Sequence, residues 1–194
     1  MNRKIFPVII PILLAALLIS CGGDYVPKPS GYFRIDLPEK SYQQLDSVFP
    51  FAFEYPVYAR IVHDPQAPNE PNWINVDFPR FRGRIHLSYK KVNCNLAQYL
   101  EDSRTLAMKH MSKSTGISEQ VVNNPGRKIY GLVYTISGSG AASTYQFYLT
   151  DSTRNFVRGA LYFSVAPNND SLAPVIKFIQ DDIRHMVETF RWKY

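Results

Sequence analysis

The chain has 194 residues, of which 45% are hydrophobic and 20% are charged, with a formal net charge of +6 at neutral pH. This length suits one domain with a sizeable core. Lysine and arginine are interspersed with aspartate and glutamate along most of the chain, which argues against a nucleic-acid-binding protein. The mild basic excess is better explained by docking to anionic lipid or to an acidic partner.

Residues 1–20 are predicted to be a signal peptide. A positive n-region with Arg3 and Lys4 is followed by an apolar run at residues 5–18, and no acidic residue interrupts either part. The run is shorter than the roughly 20 residues that a membrane-spanning helix requires, and two prolines weaken it further. The segment therefore favours export over a permanent transmembrane helix.

Residues 18–21, Leu-Ile-Ser-Cys, match a lipobox, with a branched residue three positions before the cysteine and a small residue immediately before it. Ordinary secretion with Cys21 as a free thiol is the alternative, but ordinary cleavage sites favour small residues at both positions. We therefore expect Cys21 to carry palmitate and to anchor the mature protein in a membrane, since each buried acyl methylene adds about 0.8 kcal/mol. The following residues give no firm choice of membrane, and the periplasmic face of the outer membrane is favoured.

Residues 21–56 are expected to be an extended arm that begins with the lipidated cysteine. Its prolines favour a polyproline-like path. Tyr25, Tyr32 and Phe33 make it too apolar for a solvated tether. We expect the arm to pack on its own domain or on a partner protein, so these three aromatic residues are candidate partner-binding residues.

Residues 57–194 are expected to form a single α+β domain. Alternating apolar residues predict strands at residues 59–63, 72–76, 83–89, 117–122, 128–137, 141–149 and 155–165. Helical spacing predicts helices at 95–112, with Asn95 as the N-cap, and at about 171–190, with N-caps at 168–171. Turn-forming residues at 123–126 and 151–154 predict two hairpins. The expected architecture is a mainly antiparallel sheet flanked by two helices.

The second predicted helix has the clearest amphipathic pattern. Its apolar stripe contains Leu172, Val175, Ile176, Ile179, Ile183, Met186, Val187 and Phe190. Asp181 and Asp182 are adjacent on this helix, so their side chains diverge by about 100 degrees and cannot form a facing carboxylate pair. We expect both aspartates on the solvated side.

No motif predicts a catalytic residue, a metal site or a cofactor. The four histidines are far apart, and none has a metal-binding spacing. There is no G-x-S-x-G elbow, and the glycine-rich residues 138–143 lead into a predicted strand, which argues against phosphate binding. Cys94 has no nearby histidine or basic cluster and is expected to be a buried structural cysteine.

Arginines and aromatic residues are dense between residues 73 and 84. Trp73, Phe81, Arg82 and Arg84 belong to this cluster, and such residue types are enriched at protein interfaces. They are therefore candidate partner-binding residues. The alternative is that Trp73 and Phe81 belong to the core at one end of the sheet.

The chain resembles the gliding motility lipoprotein GldD family from the lipobox to the C-terminus. The segments that carry the resemblance are YVPKPSGYFRIDLPEKSY (25–42), WINVDFPRFRGRIHLSYK (73–90), AASTYQFYLTDS (141–152), FVRGALYF (156–163) and PNNDSLAPVIKFIQDDIRHMVETFRW (167–192). The resemblance implies a cell-envelope lipoprotein that is required for gliding and associated with the type IX secretion apparatus, without known catalysis. It provides no motif for a catalytic residue. The partners it implies are the membrane, through Cys21, and other proteins of the gliding and secretion machinery.

The order of elements near the C-terminus also looks like the PsbP-like sandwich, as a pattern analogy only. Three functions compete. The first is a non-enzymatic docking component. The second is a module that binds a lipid or a cell-wall fragment in an apolar pocket. The third is an envelope hydrolase, which would require a convergent acid–base pair in a cleft.

Overall fold

The computed structural model describes residues 35–45 and 48–193. Several predictions lie outside these residues: the signal peptide 1–20, the lipidation site Cys21, and the candidates Tyr25, Tyr32 and Phe33. Within the described part of the chain, no helix is long and apolar enough to cross a membrane.

The described residues form a seven-stranded antiparallel sheet, two small two-stranded sheets and two α-helices. The strands are β1 (Tyr42–Gln44), β2 (Phe51–Ala52), β3 (Glu54–Pro56), β4 (Arg60–His63), β5 (Ile74–Phe78), β6 (Gly83–Lys91), β7 (Gly116–Asn124), β8 (Ile129–Ser137), β9 (Ser143–Thr150), β10 (Asn155–Phe163) and β11 (Arg191–Trp192), and the helices are α1 (Leu96–Met108) and α2 (Asn169–Thr189). The large sheet has the order β4-β5-β6-β10-β9-β8-β7, while β1 pairs with β3 and β2 pairs with β11. The predicted α+β class, with a mainly antiparallel sheet flanked by two helices, is confirmed.

One face of the large sheet, here called the inner face, packs against α2. Side chains alternate along each strand, so Ile74, Val76 and Phe78 of β5 point to this face and are almost completely buried. Helix α2 contributes its apolar stripe, including Ile179 and Ile183, to the same core. Gly159 on β10 leaves room there for the Phe147 ring, which would lie 2.3 Å from any Cβ at this position.

The opposite, outer face of the sheet carries α1. This helix contacts β9 and β10, and it buries Ser103 and Ala107 against them. The ring of Phe156 on β10 lies 5.4 Å from Tyr99 and 5.7 Å from Tyr148, measured between ring centroids. The outer face is thus covered at its centre.

The segment before residue 57 belongs to the domain core, which differs from the predicted boundary. Phe51 and Phe53 are completely buried, and both rings stack on Phe190 after the end of α2. Strand β2 pairs with the C-terminal strand β11. The alternating aromatic residues of this segment therefore complete the inner-face core, and the described part of the predicted arm, residues 35–45 and 48–56, packs on its own domain.

Side-chain hydrogen bonds explain most of the predicted turns. Asn124 Oδ1 accepts a bond from the Arg127 N–H in the first hairpin, and Asn168 Oδ1 caps α2 through the Ser171 N–H. Asp151 Oδ1 accepts three backbone N–H bonds in the second hairpin. Asn95 precedes α1 but does not cap it, because its side-chain oxygen instead accepts the Asn93 N–H.

Candidate functional site

A cavity of about 440 Å³ lies on the outer face, between α1, strands β6 and β10, and the loop that joins β4 to β5. It forms because α1 contacts β9 and β10, so the outer surface of β5 and β6 is left beside the helix. Trp73, Tyr99, Leu106 and Phe156 provide an apolar wall. The remaining wall is polar and includes His86, Lys90, Lys109 and Arg158, with the carboxylates of Asp64 and Asp102.

The strand register explains why polar groups meet in this cavity. On β6 the buried residues Ile85 and Leu87 face the core, so His86, Ser88 and Lys90 face outward. Arg158 of β10 stands directly opposite Ser88 in the antiparallel pairing. Two adjacent strands thereby bring a guanidinium and an imidazole to the same surface.

Arg158 is a half-buried cation without a carboxylate partner among the described residues. Its guanidinium donates a 2.5 Å hydrogen bond to Gln146 Oε1. Burial lowers the pKa of Arg158 from its ordinary value, and the neighbours that act in the opposite direction are Tyr162 and Tyr134. The charged guanidinium of Arg158 is thus partly removed from water, and the groups that stabilise it are neutral side chains.

Two histidines near Arg158 are held in their neutral form. Burial lowers the pKa of His110, and the positive charge of Arg158 lowers it further. Burial also lowers the pKa of His86, despite Asp64, whose carboxylate oxygen lies 3.9 Å from His86 Nδ1. Both imidazole rings lie near the Tyr162 ring: the distance between ring centroids is 5.8 Å for His86 and 6.4 Å for His110.

The four described candidates for partner binding are not brought together. Trp73 lines the cavity and donates its indole N–H to the Tyr89 carbonyl at 2.8 Å. Phe81 packs edge-on against Phe178 of α2, on the inner side of the sheet. Arg82 is exposed after a short 3-10 turn, and Arg84 pairs with Asp77 through two hydrogen bonds of 2.5 and 2.8 Å.

Asp182 of α2 is a buried carboxylate, so the prediction that it lies on the solvated side of the helix is wrong. Asp182 is completely buried, and it accepts hydrogen bonds from the Tyr42 and Tyr58 hydroxyls at 3.0 and 2.8 Å. Lys40 Nζ lies 2.5 Å from the same carboxylate and also donates to the Phe178 carbonyl. We call these four residues, Lys40, Tyr42, Tyr58 and Asp182, the clasp.

The clasp binds part of the predicted arm, through Lys40 and Tyr42, to α2. Burial, followed by the charge and hydrogen bonding of Asp182, raises the pKa values of both tyrosines, so their hydroxyls remain protonated donors. The Tyr42 ring also stacks on His185 at 3.7 Å. Every group of the clasp is thus satisfied by another group of the protein, which indicates a structural role.

Cys94 is exposed, which contradicts the expectation of a buried structural cysteine. It lies in the tight loop between β6 and α1 with a φ of 58°, in the left-handed region that side chains rarely adopt. A residue in such a loop has little to pack against. Among residues 35–45 and 48–193, no three histidine, cysteine, aspartate or glutamate side chains are grouped as a metal site.

The chain is similar to known proteins in both structure and sequence. It is similar to the solution structure of cyanobacterial PsbP (CyanoP) from Synechocystis sp. PCC 6803, with a TM-score of 0.47, 11% identity, and coverage of 87% of this chain and 100% of that chain. No curated protein matches the chain. The profile of the family described as gliding motility lipoprotein GldD matches residues 22–192. The chain therefore belongs to the gliding motility lipoprotein GldD family, which makes it a membrane-associated lipoprotein of the cell envelope with a part in gliding motility.

Proposed function

We propose that this protein is a non-enzymatic accessory component of the gliding motility and type IX secretion machinery, and that it acts by docking to other proteins. Its place of action is the periplasmic face of the outer membrane, to which the lipid on Cys21 attaches it. Family membership supports the role in motility. The docking mechanism rests on the exposed edge of the large sheet.

The carboxylates with the shortest polar contacts bond to groups that hold the fold together, which supports a non-enzymatic role. Asp182 belongs to the clasp, and Asp151 is held by the backbone of its own turn. His185 pairs with Glu54 Oε2 at 2.7 Å, but its ring is covered by Tyr42. Neither His185 nor Glu54 lines the outer-face cavity.

Strand β7 is the observation that carries the docking proposal. It has nine residues, lies at the end of the sheet, and pairs only with β8 among the described residues. The β7–β8 register runs without a bulge from Gly116 to Asn124. Most β7 side chains are exposed, including Val121 at 71%, while Glu119 is the strand's one charge.

Such an edge is suited to strand addition. An unpaired edge presents backbone N–H and C=O groups, and proteins usually protect long edges with lysine, proline or a bulge. The opposite edge strand, β4, has only four residues. An extended segment of a partner protein can therefore pair with β7, with affinity from the backbone and specificity from alternate side chains.

A groove beside β7 provides places for such side chains. It has a volume of about 220 Å³ and lies between the inner side of β7 and α2. Val122, Ile129 and Val187 make part of it apolar, while Arg184 and Glu188 provide charges at the helix. An incoming strand with alternating apolar residues fits this surface.

The substitution Val121→Lys tests this proposal, because a lysine on a free edge opposes the addition of another strand. We expect the variant to lose surface gliding and to capture its partner at least roughly tenfold less well in envelope crosslinking, since a tenfold loss requires only about 1.4 kcal/mol. Val57→Lys is the matched control, because Val57 is also exposed, at 51%, and lies in the turn between β3 and β4, at the other end of the strand order from β7.

Three outcomes would overturn the proposal or parts of it. Intact gliding and secretion after deletion of the whole protein would exclude the machinery role. Unchanged crosslinking and gliding in the Val121→Lys variant would exclude β7 as the docking edge. Crosslinks from position 121 only to a second copy of this chain would exclude a different protein as the occupant.

A further inference from the structure

We infer that the outer-face cavity binds a small amphiphilic anion, with Arg158 holding its carboxylate or phosphate group and the aromatic wall holding its apolar part. This site is separate from the β7 edge and does not depend on the docking role. The ligand class follows from the charge of the cavity, its lining and its size.

The charge argument begins with Arg158. An arginine that is largely removed from water is normally paired with a carboxylate, because burying an unpaired charge costs free energy. Its fixed fork carries five N–H donors; it donates to Gln146 Oε1 at 2.5 Å and to the Tyr162 hydroxyl oxygen, which leaves other donors for a ligand. No carboxylate is among the groups that act on the pKa of Arg158. The guanidinium can therefore form further hydrogen bonds to an anion that enters the cavity.

Gln146 is placed to orient this guanidinium. Its side chain is 1% exposed, and its Nε2 has no hydrogen-bond partner among the described residues. Its Oε1 accepts the hydrogen bond from Arg158. A buried acceptor restricts the orientation of the guanidinium, as is expected of a binding site for an anion.

The other charges of the cavity leave it net positive. Lys90 and Lys109 add two cations, and His86 is neutral because burial lowers its pKa. Of the two carboxylates, Asp64 accepts the Gln66 N–H at 3.0 Å and faces His86, while Asp102 is an exposed residue of α1. Neither forms an ion pair with Arg158 within the described residues.

The lining and the volume define the rest of the ligand. A volume of about 440 Å³ lies within the range of roughly 300–1,000 Å³ that is typical of small-molecule sites. Trp73, Tyr99 and Phe156 are aromatic, and Leu106 extends the apolar wall along α1. An anion with an attached aliphatic or aromatic group can contact both the cationic and the apolar part of this lining, whereas a free inorganic anion can contact only the cationic part.

The experiment uses Trp73 as a reporter inside the cavity. The chain has two tryptophans, and Trp192→Phe leaves Trp73 as the only one. The protein is the full mature chain with Cys21→Ser, which cannot be acylated. It is titrated below micellar concentrations with decanoate, decyl phosphate, decanol and acetate, so that the two head groups, the apolar body and the charge are compared separately.

We expect a saturable change in Trp73 fluorescence with decanoate or decyl phosphate, and the relative affinity of the two identifies the head group. Arg158→Gln should weaken this binding roughly tenfold or more, as expected for loss of hydrogen bonds to a charged group. Lys109→Gln, at the exposed edge of the cavity, should weaken it several-fold and serves if Arg158→Gln does not fold. Lys177→Gln is the control, because Lys177 is on α2 and pairs with Asp181.

The inference is overturned if none of the four probes gives a saturable signal, if decanol binds as tightly as the anions, or if acetate binds as tightly as decanoate. Equal affinity in the Arg158→Gln, Lys109→Gln and unsubstituted proteins also overturns it. Val121→Lys should bind the probes normally, so failure of the cavity and failure of the docking edge are distinguishable.

Discussion

Asp182 on α2 bonds to three side chains, and its removal should be costly. Its carboxylate pairs with Lys40 and accepts two tyrosine hydroxyls in a completely buried position. Removing one partner of a buried ion pair costs about 3–5 kcal/mol, and because Lys40 remains partly exposed we expect Asp182→Asn to lose about 2–3 kcal/mol. Urea unfolding of the mature chain measures this change.

Asp181→Asn is the control for this prediction, because Asp181 is adjacent on the same helix but lies at the surface between Lys177 and Arg184. A surface ion pair contributes little, so its removal should change the free energy of unfolding by less than about 1 kcal/mol. Equal effects of the two substitutions would show that the clasp does not stabilise the domain.

At the scale of elements, periodicity was sufficient for the long strands and for both helices. Strands β4 to β10 and helices α1 and α2 lie within a few residues of their predicted positions, because each has several turns or alternations from which to recognise a period. Strands β2 and β11 have two residues each, too few for any period. They form because they pair with each other, although they are far apart in the sequence.

The clasp and the cavity were missed for different reasons. Asp182 occupies a core position of the α2 stripe, at helical spacing from Val175, Ile179 and Met186, so the pattern was present but the charge was taken as a sign of exposure. The partner that neutralises it, Lys40, is 142 residues away in sequence. The cavity depends on which strands α1 covers. A local sequence pattern predicts the helix but not its position on the sheet.

The segment before residue 57 should be required for folding. A chain that begins at residue 57 lacks Phe51 and Phe53, each of which is completely buried. Loss of one buried phenylalanine costs about 3–5 kcal/mol, and most domains are stable by only about 5–15 kcal/mol. We expect residues 57–194 to show no cooperative thermal unfolding, whereas residues 35–194 unfold cooperatively. A cooperative transition in both would place the domain boundary where the sequence predicted it.

At the scale of the whole molecule, the proposed anchor and the domain are connected by a short length of chain. Lys40 is the first residue of the clasp, so about 20 residues separate it from Cys21. A chain of this length reaches at most roughly 70 Å. The proposed anchor therefore limits the distance of Lys40 from one membrane, and a tethered domain meets partners of the same membrane at a high effective concentration.

Cys21→Ala should therefore abolish gliding without changing the domain. The substitution removes the predicted acyl anchor, while the core, the clasp and the cavity lie in residues 35–45 and 48–193. We expect the variant to be unacylated and missing from the outer-membrane fraction, with the same free energy of unfolding and the same Trp73 response of its domain as the mature protein, and with gliding lost. Cys94→Ala provides the matched control, because Cys94 is exposed in a loop and is predicted to carry no lipid. If the Cys21→Ala variant glides as well as the Cys94→Ala variant, then the protein meets its partners without the lipid on Cys21, and its action depends on the domain surface.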